Sequence, residues 1–234
     1  MRRPRVSDYI THMLVNNEPP RRGTVYGTLL NQADALAALG GAVHELPYKA
    51  PPKAPILYIK PRNTWIAGGE AIVVPAGVIE LEIGATLGLV VGRAACRVSE
   101  AQAMSFVAGY VIVNDVSVPH ASYYRPSLRF KARDTFCPIG PFVARDAVGS
   151  PDALGIAVTI DGETVQRAST AGLIRSAARL LAEVSEFMTL VPGDVLSVGV
   201  ATGAPRARAG QRVGIAIDGL GRLDNPLVAE GALA

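Results

Sequence analysis

Apolar positions along this chain fall in short blocks separated by glycine, proline and Asx turns, and only one stretch keeps a helical repeat over several turns. Thr24 to Leu30 is predicted as a β-strand, and Asn31 to Leu39 as a short helix closed by Gly40-Gly41. Three prolines between Tyr48 and Pro55 make that segment an extended connector. Ile56 to Lys60 reads as a strand ended by Pro61, and Ala71 to Pro75 and Thr86 to Val91 as further apolar strands. Ser99 with Gln102 three residues on has the form of a capping box and predicts a short helix ending near Gly109. Tyr110 to Val113 then runs as an apolar strand into Asn114-Asp115.

Further on, Gly155 to Ile160 and Glu163 to Gln166 flank Asp161-Gly162, a pair suited to the positive φ angles of a tight hairpin turn. The strongest helical pattern follows: Leu173, Ile174, Ala177, Leu180, Leu181, Val184, Phe187 and Met188 share one face, with Ser169 or Thr170 as N-cap and Pro192-Gly193 as the stop. Val195 to Val200, Arg212 to Ile217 and Leu223 to Leu227 are predicted as short closing strands. Many short strands with few helices indicate a β-rich α+β fold and argue against a doubly wound parallel sheet.

Composition refines this picture. At 234 residues and 49% hydrophobic, the chain can bury a sizeable core. Its net charge of +3 has a local source, because five arginines (Arg2, Arg3, Arg5, Arg21, Arg22) face only Asp8 and Glu18 within residues 1–22. Beyond residue 22 the charges balance, so no basic face for nucleic acid is implied. Residues 1–22 read as a flexible extension and residues 23–234 as a single domain. Cys96 and Cys137 have no C-x-x-C spacing and read as buried, reduced thiols. No apolar run is long enough for a membrane span and no h-region opens the chain, so a cytoplasmic protein is expected.

The chemistry concentrates between Gly84 and Pro141. Asp115 stands at the mouth of an apolar strand, where a carboxylate is a candidate ligand for Mg²⁺ or Mn²⁺, but one carboxylate is not a metal site. Glu80-Leu81-Glu82 spaces two more carboxylates by two. About four residues of strand, roughly 13 Å, separate Glu80 from Gly84, which argues against a shared ion. Lys131, Arg133 and Asp134 form a cationic, oxygen-rich segment downstream.

The order of these blocks, from Gly84 to VVG at Val90, through AGYVIVNDVS at Ala108, to KARDTFCPIGP at Lys131, resembles the fumarylacetoacetate hydrolase superfamily. YKAPPK (Tyr48 to Lys53) and YIKPRNT (Tyr58 to Thr64) are similar to its isomerase/decarboxylase branch of homoprotocatechuate breakdown, in the amino-terminal half of those proteins. The likeness runs from about Thr24 to Leu227. It implies a mixed β-sandwich roll. It also implies a Glu-x-Glu pair and a following Asp that hold a divalent cation. The positions matching the pair hold Gly84 and Thr86, and only Asp115 is retained. The family's His and Glu positions hold Ala35 and Ala38, and the Thr-Gly-Thr-Pro after the PGD turn has become Val198-Gly199-Val200-Ala201.

What the resemblance implies for function is therefore uneven. Lys131 and Asp115 are the expected catalytic residues, with Lys60, Arg62 and Arg125 on the substrate side and no metal bound strongly by this chain. Mg²⁺ or Mn²⁺ is expected in a metal-binding paralogue, with which the chain would form a hetero-oligomer unless it is a homodimer. The expected role is as a subunit of the 2-hydroxyhepta-2,4-diene-1,7-dioate isomerase / 5-oxopent-3-ene-1,2,5-tricarboxylate decarboxylase of aromatic acid catabolism, acting on a small dicarboxylate or 2-oxo acid. Two alternatives stand beside it. One is a self-sufficient, metal-free tautomerase of a dienol acid, using Lys131, Asp115 and His120; the other is a non-catalytic dicarboxylate-binding homodimer.

Overall fold

The computed structural model describes residues 23–121 and 128–232. Fifteen strands follow one another as β1 Val25–Leu29, β2 Ile56–Lys60, β3 Trp65–Ala67, β4 Ile72–Val74, β5 Leu81–Glu82, β6 Ala85–Val91, β7 Val107–Asn114, β8 Cys137–Ile139, β9 Val143–Ala144, β10 Gly155–Ile160, β11 Glu163–Ser169, β12 Val195–Ser197, β13 Arg206–Ala207, β14 Arg212–Ile217 and β15 Gly221–Ala229. Four α-helices interrupt them: α1 Ala33–Ala37, α2 Glu100–Ala103, α3 Leu128–Lys131 and α4 Ala177–Phe187. The larger sheet runs β2-β1-β12-β6-β7-β8-β3, with β9 added to β7, and the second runs β11-β10-β14-β15-β4. Both are mixed, since β1 pairs with β12, β3 with β8 and β15 with β4 in parallel.

Side-chain alternation explains why the central strands carry no polar face. In β6, Leu87, Leu89 and Val91 point into the main core, where they meet Ile156 and Val158 of β10, Val213 and Ile215 of β14, and Leu180 and Val184 of α4. Val90 points the other way, into a second cluster with Val111, Val113, Val195 and Phe142. Strands covered on both faces lose the polar alternation of a solvated sheet and read as continuous apolar runs. The β-rich α+β architecture expected from the strand count is the one observed.

Boundaries shift where local signals compete. The hairpin of β10 and β11 turns at Asp161 (φ 52°) and Gly162 (φ 90°), both left-handed as an Asp-Gly turn requires. The apolar repeat that begins at Leu173 is not helical until Ala177, because Ser176 caps α4 by accepting the Arg179 N–H at 3.2 Å. Ser169 accepts instead from Ala171 N and closes a single 3₁₀ turn, Thr170–Gly172. The expected capping box at Ser99 does not form: its hydroxyl meets Gln102 Oε1 at 3.2 Å, and no backbone N–H is capped. The helix there ends at Ala103 and passes through a 3₁₀ turn into β7, which begins before Gly109. The short strands β3, β5, β8, β9 and β13 had no pattern of their own. Cys96 is exposed, contrary to expectation, while Cys137 is buried and its thiol is pushed up to about 12, chiefly by burial. Residues 1–22 lie outside the described residues, and no described helix is long and apolar enough to cross a membrane.

The two serines make opposite predictions. Ser176→Ala removes a bonded cap and is expected to lower unfolding free energy by about 1 kcal/mol, whereas Ser99→Ala should leave the urea midpoint almost unchanged. Equal losses in the two denaturation curves would contradict this assignment of caps.

Candidate functional site

Strand β2 is where the site begins. Its alternation buries Tyr58 and Lys60 and exposes Ile59. Antiparallel pairing with β1 sets Tyr58 opposite Gly27, and a Cβ at Gly27 would overlap the tyrosine ring, so only glycine lets that ring cross the neighbouring strand. The Tyr58 hydroxyl thereby donates a hydrogen bond to Asp115 Oδ2. Asp115 comes from the other side of the sheet centre, one residue after β7 ends, and its own N–H donates to Gly84 O at 2.8 Å. Lys131, the last residue of α3, completes the group.

Three ionisable groups are then buried together. Lys60 Nζ lies 2.7 Å from Asp115 Oδ1, and Lys131 Nζ lies 2.9 Å from Oδ2. The two ammonium groups are not equivalent. Lys60 donates to the carbonyls of Val116 (2.6 Å), Lys131 (2.9 Å) and Phe136 (2.9 Å), which uses all three of its N–H bonds. Its contact with Asp115 is therefore chiefly the attraction of opposite charges at close range. Lys131 spends one N–H on Asp115, stands 4.7 Å over the Tyr58 ring, and has two N–H bonds without an acceptor among the described residues. Burial alone would raise the Asp115 carboxyl, but Lys131 and Lys60 together hold it well below the usual range. Burial lowers Lys60, against the pull of Asp115, and raises the Tyr58 phenol, which stays a donor. With two ammonium groups and one carboxylate, the cluster carries a net charge of +1.

That charge lies at the floor of a cavity of about 250 Å³ whose lining includes Thr28, Ala35, Tyr58, Glu82, Asp115, Ser117, His120, Lys131 and Arg206. Lys131 and Asp115 are thus brought together. Lys60, expected on the substrate side, is not part of the lining and holds Asp115 from behind. Arg62 is exposed and lies over Trp65 at 5.7 Å, away from the lining. Arg125 falls outside the described residues. Glu80 pairs with Arg206 at 2.9 Å on the surface, whereas Glu82 enters the cavity rim between Ser117 (3.3 Å) and Arg206 (3.7 Å). Strand distance alone had kept Glu82 out, because the break between β5 and β6 was not visible in the sequence. Tyr58, Ser117, Thr28 and Arg206 were missed as site residues. Only Tyr58 had a signal, its period-two relation to Lys60.

The residues at the family's metal positions do not fit a divalent cation. A Cβ at Gly84 would come within 2.5 Å of Asp115 O, so the backbone itself fills the space a side chain would need. Thr86 Oγ1 donates to Gly199 O at 2.8 Å and meets Ser197 Oγ at 3.1 Å, a closed hydroxyl network. Asp115 is taken by two ammonium groups and a phenol. A hard cation needs several oxygen donors converging at about 2.0–2.6 Å, and among the described residues no group of three acidic, histidine or cysteine side chains offers them. The arrangement is instead suited to a small anion, held by the two Lys131 N–H bonds that have no acceptor among the described residues.

Removing Asp115 would leave two buried cations without a counter-charge. Asp115→Ala should cost about 3–5 kcal/mol of stability at neutral pH, read from urea unfolding. In the native chain the depressed Asp115 carboxyl stabilises the fold fully above the ordinary aspartate range, about pH 3.9, and that contribution is lost as pH falls through the folded value. A flat stability profile below pH 4 would contradict the ion-paired carboxylate.

Comparison with known proteins now has a geometry to rest on. The family model described as fumarylacetoacetate (FAA) hydrolase C-terminal matches residues 24–228. The 4-hydroxyphenylacetate degradation bifunctional isomerase/decarboxylase of Escherichia coli is 44% identical over 209 residues, 89% of this chain but 48% of that protein. The chain spans about half the length of the curated relatives of that name. Protein Rv2993c of Mycobacterium tuberculosis is 34% identical, covering 86% of this chain and 74% of that one. Among solved structures, the 5-carboxymethyl-2-hydroxymuconate delta-isomerase of Mycobacterium smegmatis superposes with a TM-score of 0.76 at 31% identity, over 89% of this chain and 80% of that one. A fumarylpyruvate hydrolase from Pseudomonas aeruginosa, solved with Mn²⁺ and pyruvate, gives 0.77 at 28% identity, over 90% and 91%. In sequence and in fold, the chain belongs to the fumarylacetoacetate hydrolase family.

Proposed function

We propose that this chain is the dicarboxylate-binding module of an isomerase/decarboxylase of aromatic acid catabolism, and that decarboxylation depends on a second, metal-bearing family module. The observation that carries this reading is the buried +1 cluster at the cavity floor, with two N–H bonds of Lys131 that meet no acceptor among the described residues and can take a ligand oxygen. A small acid whose carboxylate or enolate oxygen meets Lys131 would neutralise the excess charge. Arg206 at the rim, already shared with Glu80 and Glu82, offers a second cation for the other end of a dicarboxylate.

The names of the relatives support the substrate class, an unsaturated oxo-diacid such as 2-hydroxyhepta-2,4-diene-1,7-dioate. Their length supports a second module, since the bifunctional relatives are about twice as long as this chain. The donor set supports a division of labour. Loss of CO₂ needs an electron sink at the 2-oxo acid, commonly a divalent ion worth several kcal/mol, and Gly84, Thr86 and the ion-paired Asp115 cannot hold one. The partner is a paralogue with Mg²⁺ or Mn²⁺ ligands intact, joined to this chain as a hetero-oligomer.

Two measurements test this. Calorimetry of the purified chain with Mg²⁺ or Mn²⁺ should give no tight one-to-one binding, and a stoichiometric site would overturn the division of labour. Titration with heptanedioate should give salt-sensitive binding, weakened about 10- to 100-fold by Lys131→Ala through loss of a charged hydrogen bond. Unaltered affinity in that variant would remove Lys131 from the binding site.

A further inference from the structure

We propose that His120 is the proton carrier of the cavity, moving a proton between oxygen and carbon in an enolisable acid bound at Lys131. The proposal rests on the dicarboxylate-binding reading above and extends it to a reaction within this chain. His120 Nδ1 lies 3.0 Å from the carbonyl oxygen of Val118. A carbonyl can only accept, so Nδ1 carries the hydrogen and, in the neutral ring, Nε2 presents its lone pair. No hydrogen-bond partner meets Nε2 among the described residues. The ring is fixed in place by stacking on Phe130, with centroids 5.3 Å apart and planes 27° apart. Phe130 precedes Lys131 in α3, and its carbonyl accepts from Val118 N at 3.0 Å. The loop that holds the imidazole and the helix that holds the ammonium are thus bonded to each other. Both side chains line the same cavity.

The other titratable groups there are committed elsewhere. Asp115 is ion-paired twice and is a weak base in consequence. Tyr58 donates to Asp115, and Lys60 has spent its three N–H bonds on carbonyls. Glu82 is turned to Ser117 and Arg206. Among the described residues, His120 alone combines a place in the lining, a fixed tautomer and an unoccupied lone pair.

The step balances without an external reagent. The imidazole takes the O–H proton of the dienol while Lys131 steadies the enolate oxygen. The π electrons shift along the diene, and the imidazolium returns a proton to the carbon at its far end. One O–H bond breaks, one C–H bond forms, and the ring ends neutral.

The test uses the whole chain with 2-hydroxyhepta-2,4-diene-1,7-dioate in D₂O, following loss of dienol absorbance and deuterium at the new C–H position. The native chain should exceed the buffer rate. His120→Asn keeps an amide N–H for Val118 but has no basic nitrogen, and it should slow turnover about 10²- to 10⁴-fold while heptanedioate binding and the circular dichroism spectrum are retained. Added imidazole should restore part of the rate to His120→Ala, a result that a merely structural histidine would not give. A native-like rate in His120→Asn, or a native chain that binds the diacid without accelerating its isomerisation, would overturn the proton-carrier role and leave the binding reading intact. Absence of diacid binding would overturn both.

Discussion

The interaction on which the site depends is the burial of Asp115 between two lysines. Each group alone would be costly in this position: a desolvated ammonium tends to lose its proton and a desolvated carboxylate to gain one. Together they offset one another: Lys131 and Lys60 depress the Asp115 carboxyl against its own burial, and Asp115 opposes the loss of a proton from Lys60. The cluster also joins parts of the chain that are remote in sequence. Lys60 belongs to an outer strand, Asp115 follows the central strand β7, and the carbonyls that receive Lys60 come from Val116, Lys131 and Phe136. A lysine with three carbonyl acceptors acts here as a structural cation, and the proposed function rests on its neighbour, Lys131.

Close backbone approach makes that cluster possible. Gly27 lets the Tyr58 ring lie across β1, and Gly84 lets the Asp115 carbonyl come up to β6. At position 84 the consequence reaches beyond packing. Restoring a carboxylate there would require the backbone at Asp115 to withdraw, so the departure from the family's metal ligands is built into the main chain as well as the side chains. The hydroxyl network of Thr86, Ser197 and Thr28 fills the adjacent space with satisfied polar groups, as a buried site requires.

Much of this was legible in the sequence where one physical signal dominated. The central strands announced themselves by apolar runs, the β10–β11 hairpin by Asp-Gly, and the family by motifs in order. Lys131 and Asp115 were identified by position within those motifs, and the structure sets them in contact. Lys60 was expected on the substrate side from its motif, and nothing local reveals three carbonyls converging on it from more than fifty residues away. Glu82 was judged by distance along a continuous strand that in fact breaks at Ile83 and Gly84. The helix start at Ser176 was obscured by Leu173 and Ile174, which extend the apolar repeat without being helical. In each case the decisive partner was distant in sequence, and the local pattern was compatible with more than one outcome.

The chemistry follows from what an ammonium can and cannot replace. A divalent ion and a lysine both attract an enolate oxygen, but the lysine supplies one positive charge through hydrogen bonds, while a metal ion polarises the oxo and carboxylate oxygens together as a Lewis acid. On the proposed function, a cavity lined by Lys131 and Arg206 would bind a diacid and move its protons, steps with modest charge development. Breaking a carbon–carbon bond to release CO₂ places a full electron pair on the 2-oxo fragment and calls for the stronger sink. With Gly84 closed against Asp115, the described residues offer no such sink, and the proposed function assigns it to a second module. On the proposed function, binding of the acid here and stabilisation of the electron pair in a second module would divide the reaction, each cavity keeping the charges its own step requires.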